Sequence, residues 1–547
     1  MRASSCTLLA AILLAACGSS DPLLTPGVCA PGAPALERTG SVTEAQAKTY
    51  QMLPFEVGAG TGRVELSYQW FEHDGPPGTP VTNTTLDLGL WDERGYRTQA
   101  AFRGWGGSRQ GRIDQGDAPI FVQADSADRG FSPGRVNPGT WFAELGIAAV
   151  SPQGADWLVR IECKSASGVR PDDDPVDPAH VASLETRWYH GDFHMHAYHS
   201  NPNAPEWDEF VALARAAKLD FLMVTEYMTG RHWETLGALQ RANADLLIWP
   251  GREVITYFGH VNTHGETFGL YEYRHGFEDV DIGFIQDEAR ARGALFQVNH
   301  PTIFPPPTFS NFCRGCYFEL GDAIDWARVD TIEVLTGPVI ANSSDVGAPD
   351  TPGAIENPFM QDAIDLWEQH LVLGHKIAPV SGSDSKGTES SDADRIRKGY
   401  GSSATAVYSA GLSRAAITAA IQAGHVYVRT RGVDRSPALE FTATAGTQEG
   451  MFGDTLLVGP ADPVTLRVTV TGGANQLLRY LRNGELFLEL PIPTDPFVSE
   501  LSVTRAPEGE GQLGTFWGIE TVQQQTAPDE PATLRTTIGN PIFLKGP

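Results

Sequence analysis

WYHGDFHMHAYHS, residues 188–200, is the stretch from which the rest of the fold can be worked out. It predicts a short apolar strand that ends in the pair His194-x-His196. Alternate residues on a strand point to the same side, so both imidazoles can reach one metal ion while Met195 points away. A His-x-His pair alone is only moderately specific for a metal site.

Four more residues of ligand type follow apolar runs further along the chain. Glu253 follows LLIWPGR, His260 lies in FGHVN, His300 lies in ALFQVNHP, and Asp384 ends APVSGSD. We predict that these side chains join the two histidines in one hydrolytic metal centre built from several strand ends. Imidazole nitrogens together with carboxylates suit zinc, manganese or iron better than magnesium.

The region that contains these residues, 186–432, alternates apolar strands with helical stretches. The predicted strands include LDFLMVT (219–225), LLIWP (246–250), ALFQVN (294–299), TIEVL (331–335) and KIAPVS (376–381). Repeated β-then-α units predict a parallel sheet or barrel. The candidate ligands lie at or just after the predicted strand ends, where barrel enzymes build their active sites.

Both flanks of this region have β patterns. Residues 36–166 contain alternating strands separated by glycine- and proline-rich turns, which predict a β-sandwich. Residues 167–185 begin with an acidic, proline-rich linker. Residues 433–547 predict a second β-sandwich, with a surface excursion at 506–532. We therefore expect a multidomain chain with a central α/β unit between two β-sandwiches.

The charge and the N-terminus bear on the partners and the location. The net charge of −27 argues against nucleic-acid binding. Residues 1–16 have the pattern of a signal peptide, and Leu14-Ala15-Ala16-Cys17-Gly18 resembles a bacterial lipobox, which implies lipidation of Cys17. We expect residues 17–35 to be a tether to the cell envelope, on the outer membrane because no Asp follows Cys17. The lipid would be the only membrane contact. An ordinary cleaved signal peptide is the alternative.

An exported chain favours disulfides over free thiols. Cys29 and Cys163 bracket the first predicted sandwich and are candidates for a disulfide that joins its ends. Cys313-Arg-Gly-Cys316 has no second pair for zinc, so we predict a small loop disulfide, with a redox site as the alternative.

The central motifs resemble a PHP (polymerase and histidinol phosphatase) domain, in the branch of carbaryl-hydrolase-like metallohydrolases. The matching pieces are GDFHMH (191–196), LDFLMVTEY (219–227), PGRE (250–253), GHVN (259–262), NHP (299–301) and GSDSK (382–386). The resemblance implies a distorted TIM-like (β/α)7 barrel. It implies a first metal ion and a second one that shares Glu253, held by His194, His196, Glu253, His260, His300 and Asp384.

The resemblance is incomplete at the family's third metal position. Glu226-Tyr227 replaces an Asp-His pair, Lys386 replaces a histidine, and Asn201 replaces an acid. We expect two divalent ions, with the third site lost. A protonated lysine cannot bind a metal ion, so we expect Lys386 to act as a fixed positive charge and Tyr227 as a hydrogen-bond donor. Loss of activity at this site is the rival hypothesis.

Two further residues are candidates beside the ligands. Asp192 is expected to brace His194 or the neighbouring backbone. Arg252 is expected either to hold a phosphate oxygen or to form a structural ion pair.

Three functions remain open at this point. The first is hydrolysis of a phosphoester by a water shared between two metal ions. The second is hydrolysis of a carbamate, ester or amide by the same means. The third is a non-catalytic, lipid-anchored binding protein with a structural metal. In the first two cases the partner is a small-molecule substrate.

Overall fold

A computed structural model describes residues 26–73, 84–107, 118–265, 272–307, 309, 313–341, 355–505, 514–524 and 533–547. The described residues of the N-terminal part form nine strands and short 3-10 turns. The strands are β1 (Gly27–Cys29), β2 (Leu36–Val42), β3 (Thr49–Val57), β4 (Arg63–Glu72), β5 (Thr85–Trp91), β6 (Phe102–Trp105), β7 (Ile120–Gln123), β8 (Gly139–Ala149) and β9 (Ala155–Lys164).

These strands form two sheets, in the orders β1-β3-β8-β5-β6 and β2-β9-β4-β7. Buried side chains such as Leu88, Trp141 and Ile161 belong to one hydrophobic core. β2 and β9 alternate residues that face this core with more exposed ones, whereas β5 and β8 are buried over most of their length. Residues 27–29, within the range predicted as a tether, form β1, and a disulfide joins Cys29 to Cys163.

The central part mixes strands and helices. Its elements are β10 (Val181–Ser183), β11 (Arg187–Met195), α1 (Trp207–Ala216), β12 (Phe221–Tyr227), α2 (Gly237–Ala242), β13 (Leu247–Thr256), β14 (Gly259–His264), α3 (Ile282–Ala291), β15 (Leu295–Val298), β16 (Thr331–Thr336), β17 (Ile340–Ala341), β18 (Ile355–Glu356), α4 (Pro358–Val372), β19 (Ala378–Gly382), α5 (Asp392–Lys398), β20 (Ala404–Ser409), β21 (Leu412–Ser413), α6 (Arg414–Ala423) and β22 (Val426–Arg429).

Capping residues in the sequence explain where two of the longer helices begin or end. α4 has a proline in its first turn, and the side chain of Asn357 accepts from the Phe359 N–H at its N-terminus. Ser413 caps the N-terminus of α6, where its hydroxyl accepts from the Ala416 N–H, and Gly424, with φ of 79°, caps the C-terminus.

The central strands are ordered β19-β16-β15-β14-β13-β12-β11. β13 and β14 form an antiparallel hairpin, and β14 also pairs antiparallel with β15. The residues after β19 return to β11, where the His196 N–H donates to the Ser385 carbonyl and the Asp384 N–H donates to that of His194. The sheet also continues from β11 into β20 and β22, so a regular barrel of seven parallel strands is not shown.

The C-terminal part consists of strands: β23 (Ala438–Ala445), β24 (Gln448–Met451), β25 (Thr455–Leu457), β26 (Val464–Thr471), β27 (Leu477–Arg482), β28 (Glu485–Pro491), β29 (Phe497–Val503), β30 (Thr515–Gln524), β31 (Thr533–Gly539) and β32 (Ile542–Lys545). β24-β23-β26-β29 form one sheet. β31 pairs with β22, so the central sheet reaches 15 strands and crosses the predicted boundary at residue 432.

The prediction of a surface excursion at 506–532 is wrong for residues 515–524. They form β30, which pairs with β27, β31 and β32 and is buried over most of its length. The polar, proline- and glutamine-containing sequence on both sides concealed the strand FWGIETV between them.

The N-terminal sandwich packs directly on the central part. The Tyr50 and Tyr257 rings stack with centroids 5.0 Å apart, and the Tyr257 hydroxyl donates to Asp87 at 2.8 Å. Tyr50 and Trp91 belong to the same hydrophobic core as central residues such as Val254. In the described part of the chain, no helix is both long and apolar enough to cross a membrane.

Candidate metal centre

The six predicted ligands come together, although not all of them lie at strand ends. His194 is the second-last residue of β11 and His196 directly follows that strand, while His300 and Asp384 follow β15 and β19. Glu253 lies inside β13 and His260 inside β14, because β13 continues past the predicted end at residue 250 to form the hairpin. The expectation that all ligands follow strand ends is therefore wrong for these two residues.

Glu253 occupies the middle of the group. Its Oε2 lies 3.4 Å from Nε2 of His194 and 3.2 Å from Nε2 of His196. Its Oε1 lies 3.0 Å from Nδ1 of His260 and 3.4 Å from Nε2 of His300. Each carboxylate oxygen thus faces a different pair of imidazoles.

Asp384 completes the side formed by the first two histidines. Its Oδ1 lies 3.6 Å from Nε2 of His194 and 3.0 Å from Nε2 of His196. The same oxygen accepts from the Lys386 ammonium at 2.6 Å. Asp384 and His300 have φ of 48° and 29°, a backbone region that costs about 1–3 kcal/mol for a non-glycine residue and recurs at functional sites.

The imidazoles of His194 and His196 are anchored by their other nitrogens. Nδ1–H of His194 donates to Oε1 of Glu333 at 2.8 Å, and Nδ1 of His196 is 3.0 Å from the Ser200 hydroxyl. That hydroxyl donates to Glu226 and accepts from the Tyr227 N–H. These contacts fix the tautomers and leave both Nε2 atoms for a metal ion.

The other two imidazoles are anchored by backbone carbonyls. Nε2–H of His260 donates to the Arg314 carbonyl at 3.1 Å, and Nδ1–H of His300 donates to the Cys316 carbonyl at 3.1 Å. Nδ1 of His260 and Nε2 of His300 therefore carry the lone pairs that face Glu253. Both carbonyls belong to the loop closed by the disulfide between Cys313 and Cys316.

These residues fit a metal centre. The Nε2 atoms of His194 and His196 are buried and make no hydrogen bond among the described residues, although carboxylate oxygens lie 3.0–3.6 Å away. Potential ligand atoms lie within 4.8 Å of one another in the groups His194–His196–Asp384 and His194–Glu253–His300. Buried polar atoms without partners are costly unless something binds them.

When the imidazoles are protonated, they and the carboxylates are opposite charges held close together. Burial alone would raise the pKa of Glu253, but the neighbouring imidazoles of His194, His196 and His260 outweigh it and hold the pKa well below its usual value. Burial likewise opposes the charge on Asp384, and the Lys386 ammonium together with His194 lowers its pKa. The carboxylates are thus ionised and available to a cation.

Sequence reasoning missed the anchoring residues Glu333, Ser200 and Glu226 as parts of the site. Glu333 is fully buried and also accepts from the His300 N–H at 2.8 Å, so it contacts both halves of the centre. The available signal was a single acid in the apolar strand TIEVL. Glu226 is fully buried and accepts from the N–H groups of Ala197 and His199.

Asp192 lies beneath the centre as a backbone brace. Its carboxylate accepts from the N–H groups of His194, Ser383 and Gly401 at 3.0–3.1 Å. Burial raises its pKa to about 6. It therefore positions the strand end that carries His194 and the segment that follows β19.

Arg252 and Tyr227 take different places. Arg252 directly precedes Glu253 in β13, so the two side chains point to opposite faces of the sheet. The Nε–H of Arg252 donates to the Thr229 carbonyl at 3.2 Å, and its guanidinium lies over the Trp233 ring. This placement does not bring Arg252 to the metal centre. The centroids of the Tyr227 and His196 rings are 4.0 Å apart. The Lys386 ammonium lies 5.7 Å from the centroid of the Tyr227 ring.

A cleft of about 390 Å³ opens beside Asp384 and Lys386. Ile303, Phe304 and Phe359 line its apolar part. The cleft gives the centre an open side.

Cys17, the predicted site of lipidation, lies outside the described residues.

No protein-family model and no curated protein matches the chain. Among solved structures, one similar chain is a two-domain protein from Bacteroides vulgatus ATCC 8482, described as containing a predicted PHP-like metal-dependent phosphoesterase. The two share 15% identity over 68% of this chain and 100% of that chain, with a TM-score of 0.35. A similarity of this size supports no conclusion about activity.

Proposed function

We propose that this chain is a metal-dependent hydrolase that holds two divalent metal ions and cleaves phosphoester bonds. The observation that supports this most strongly is Glu253, whose two carboxylate oxygens each face a separate pair of imidazoles. When bound, the ions would supply an activated water and Lewis-acid stabilisation of charge on the attacked group. Zinc, manganese and iron suit this donor set.

The chain's own residues divide the remaining work. The anchors on the four imidazoles hold the ligands in place before a substrate arrives. Lys386 keeps a fixed positive charge beside Asp384, on the side that opens to the cleft. Burial raises the pKa of Tyr227, so its hydroxyl keeps its proton and can donate to a substrate oxygen. Asp192 and Arg252 hold the surrounding backbone.

A second candidate is hydrolysis of a carboxylic ester, carbamate or amide. It is favoured by Lys386, which supplies a single fixed charge where the family resemblance leads one to expect a third metal ion. One fixed positive charge balances the single negative charge of a carbonyl oxyanion or of a phosphodiester, but only half the charge of a phosphate dianion.

The proposal also covers the architecture of the central part and the location of the protein. We propose that the central sheet is a distorted (β/α)7 barrel and that Cys17 anchors the protein to the bacterial cell envelope. The lipobox-like sequence and the two disulfides support export. Cell fractionation of Cys17→Ala tests the anchor: the variant should leave the membrane fraction, and its retention there would contradict lipidation at Cys17.

Elemental mass spectrometry of the purified chain, with Glu253→Gln beside it, tests the metal centre. We expect about two metal ions per chain, with a sharp fall in the variant, because both positions share this carboxylate. Glu440→Gln, on the exposed side of β23, is the matched control. Absence of bound metal after reloading would contradict the proposal.

The metal-loaded chain is then assayed on a panel of substrates. A phosphomonoester, a phosphodiester, a carboxylic ester and a carbamate separate the two hydrolytic candidates. Turnover that is confined to the phosphoesters supports the first candidate, and turnover that is confined to the carbonyl substrates supports the second. Turnover of none of them by metal-loaded protein contradicts both.

A further inference from the structure

The loop closed by Cys313 and Cys316 is pressed against the segments that carry two of the candidate ligands. Gly315 has φ of 83°, and a Cβ at this position would lie 2.4 Å from the Thr256 carbonyl oxygen at the end of β13. Past the loop, the Phe318 N–H donates to the Pro301 carbonyl at 3.0 Å, and the Glu319 N–H donates to that of Phe258 at 2.6 Å. The loop is thus held against the hairpin and against the segment after β15.

Two carbonyl groups of this loop face the metal centre. The Arg314 carbonyl accepts from Nε2–H of His260, and the Cys316 carbonyl accepts from Nδ1–H of His300, each at 3.1 Å. A histidine ligand needs such a partner to fix its tautomer and the direction of its ring. The disulfide spans only three positions of the chain, so it directly limits where these two carbonyls can point.

We propose that the disulfide between Cys313 and Cys316 positions His260 and His300, and that it makes the affinity of their metal position dependent on the redox state. This inference rests on the two-metal function proposed above. The cysteines are positioning residues here, since in the disulfide form they act through the two carbonyls and the two imidazoles.

The imidazole rings at the other metal position have different anchors, although Glu333 also accepts from the backbone N–H of His300. Glu333 in β16 anchors His194, and Ser200 anchors His196, with no cysteine involved in either contact. Loosening of the disulfide loop is therefore expected to weaken one metal position and to leave the other unchanged. That asymmetry distinguishes the proposal from a general loss of structure.

The chemistry of opening the loop is an ordinary thiol–disulfide exchange with a dithiol. Cys313 is half-buried and Cys316 is 7% exposed, so a thiolate of the dithiol attacks Sγ of Cys313 and Cys316 leaves as the thiolate. The second thiol of the reagent then displaces Cys313 and closes a cyclic disulfide. Two electrons and two protons pass from the dithiol to the two cysteines.

The test is a cobalt(II) titration of the full chain, before and after reduction with a phosphine, which avoids metal chelation by a dithiol. The absorption of bound cobalt(II) reports each position as it fills. The titration is done on the double variant Cys29→Ser, Cys163→Ser, which lacks the other disulfide. A change on reduction can then be assigned to the bond between Cys313 and Cys316. Circular dichroism checks that the oxidised and reduced forms keep the same secondary structure.

We expect two cobalt ions per oxidised chain. After reduction, one position should keep its affinity and the other should weaken by about 10- to 100-fold, the usual effect of losing an outer hydrogen-bond partner of a metal ligand. Cys313→Ser with Cys316→Ser should reproduce this without any reductant. Should that variant fail to fold, the reduction experiment on the double variant Cys29→Ser, Cys163→Ser decides alone.

Three results would overturn the inference, each in a different way. Equal affinity of both positions before and after reduction would show that the loop positions nothing, while the two-metal proposal stands. A sulfur-to-cobalt charge-transfer band after reduction would make Cys316 a ligand instead, since its Sγ groups with nitrogens of His260 and His300. Fewer than two ions in the oxidised chain would remove the two-metal proposal and this inference together.

Discussion

The Nδ1–H group of His194 donates to Oε1 of Glu333 at 2.8 Å, and both side chains are fully buried. Glu333 also accepts from the His300 N–H, so one carboxylate orients a ligand in each half of the centre. Carboxylate partners raise the basicity of a histidine ligand and fix its ring. The site therefore depends on a residue that is not one of the six candidate ligands.

Glu333→Gln should weaken metal binding by about 10- to 100-fold while the protein stays folded. Glutamine keeps the shape of the side chain but removes the charge that holds Nδ1–H of His194. Metal affinity is measured by competition with a chelator of known strength, and Glu440→Gln provides an exposed control. An unchanged affinity would mean that the buried carboxylate serves packing alone.

Lys386→Ala should lower kcat/KM for a phosphomonoester by about 100-fold and affect a neutral ester much less. The ammonium lies 2.6 Å from Asp384 and lines the cleft, so its charge acts where an anionic substrate would bind. Lys398→Ala is the matched control, because Lys398 lines the same cleft. Unchanged turnover of the anionic substrate would contradict the role of Lys386 as a replacement for a metal ion.

The pH dependence of stability should contain a contribution from Asp87, at the contact between the N-terminal sandwich and the central part. Burial raises its pKa to about 7, against 3.8 as the ordinary value. A carboxyl group whose pKa is raised in the folded state makes its full contribution to stability at pH values below its ordinary pKa. This contribution is lost as pH rises through about 7. Stability should therefore fall between about pH 4 and 7, by up to a few kcal/mol.

Asp87→Asn removes this titration and keeps an acceptor for the Tyr257 hydroxyl. We expect the variant to gain stability relative to the parent chain at pH 8 but not at pH 4. Thermal unfolding at both values measures the difference. Asp172→Asn, at an exposed carboxylate, is the control. A gain of the same size at both pH values would contradict the raised pKa.

Much of the candidate site could be predicted from the sequence. The spacing His194-x-His196 and the residue types after the apolar runs were sufficient to select side chains that lie together. The anchors were harder to find, because a buried acid such as Glu333 looks like an ordinary interruption of a strand until its neighbours are known. Which strand lies beside which is a long-range property that local periodicity does not contain.

The order of the strands was also not predictable from local sequence patterns. Gly259, with φ of 156°, ends a tight turn that folds β14 back on β13, so the regular β-then-α alternation is broken where Glu253 and His260 lie. The turn at Tyr257 and Phe258 lacks the usual Asn-Gly signal of a hairpin. The continuation of the central sheet into β31 depends on pairing across more than 100 residues, which sequence patterns do not reveal.

The two disulfides should contribute very differently to stability. Cys29 and Cys163 are 134 positions apart, so their bond removes far more freedom from the unfolded chain than the bond between Cys313 and Cys316. Cys29→Ser with Cys163→Ser should cost roughly 4–5 kcal/mol in the unfolding of the N-terminal sandwich. Denaturant unfolding followed by tryptophan fluorescence measures this. The corresponding pair of changes at Cys313 and Cys316 should cost much less, and an equal loss would mean that local strain, and not chain entropy, sets both values.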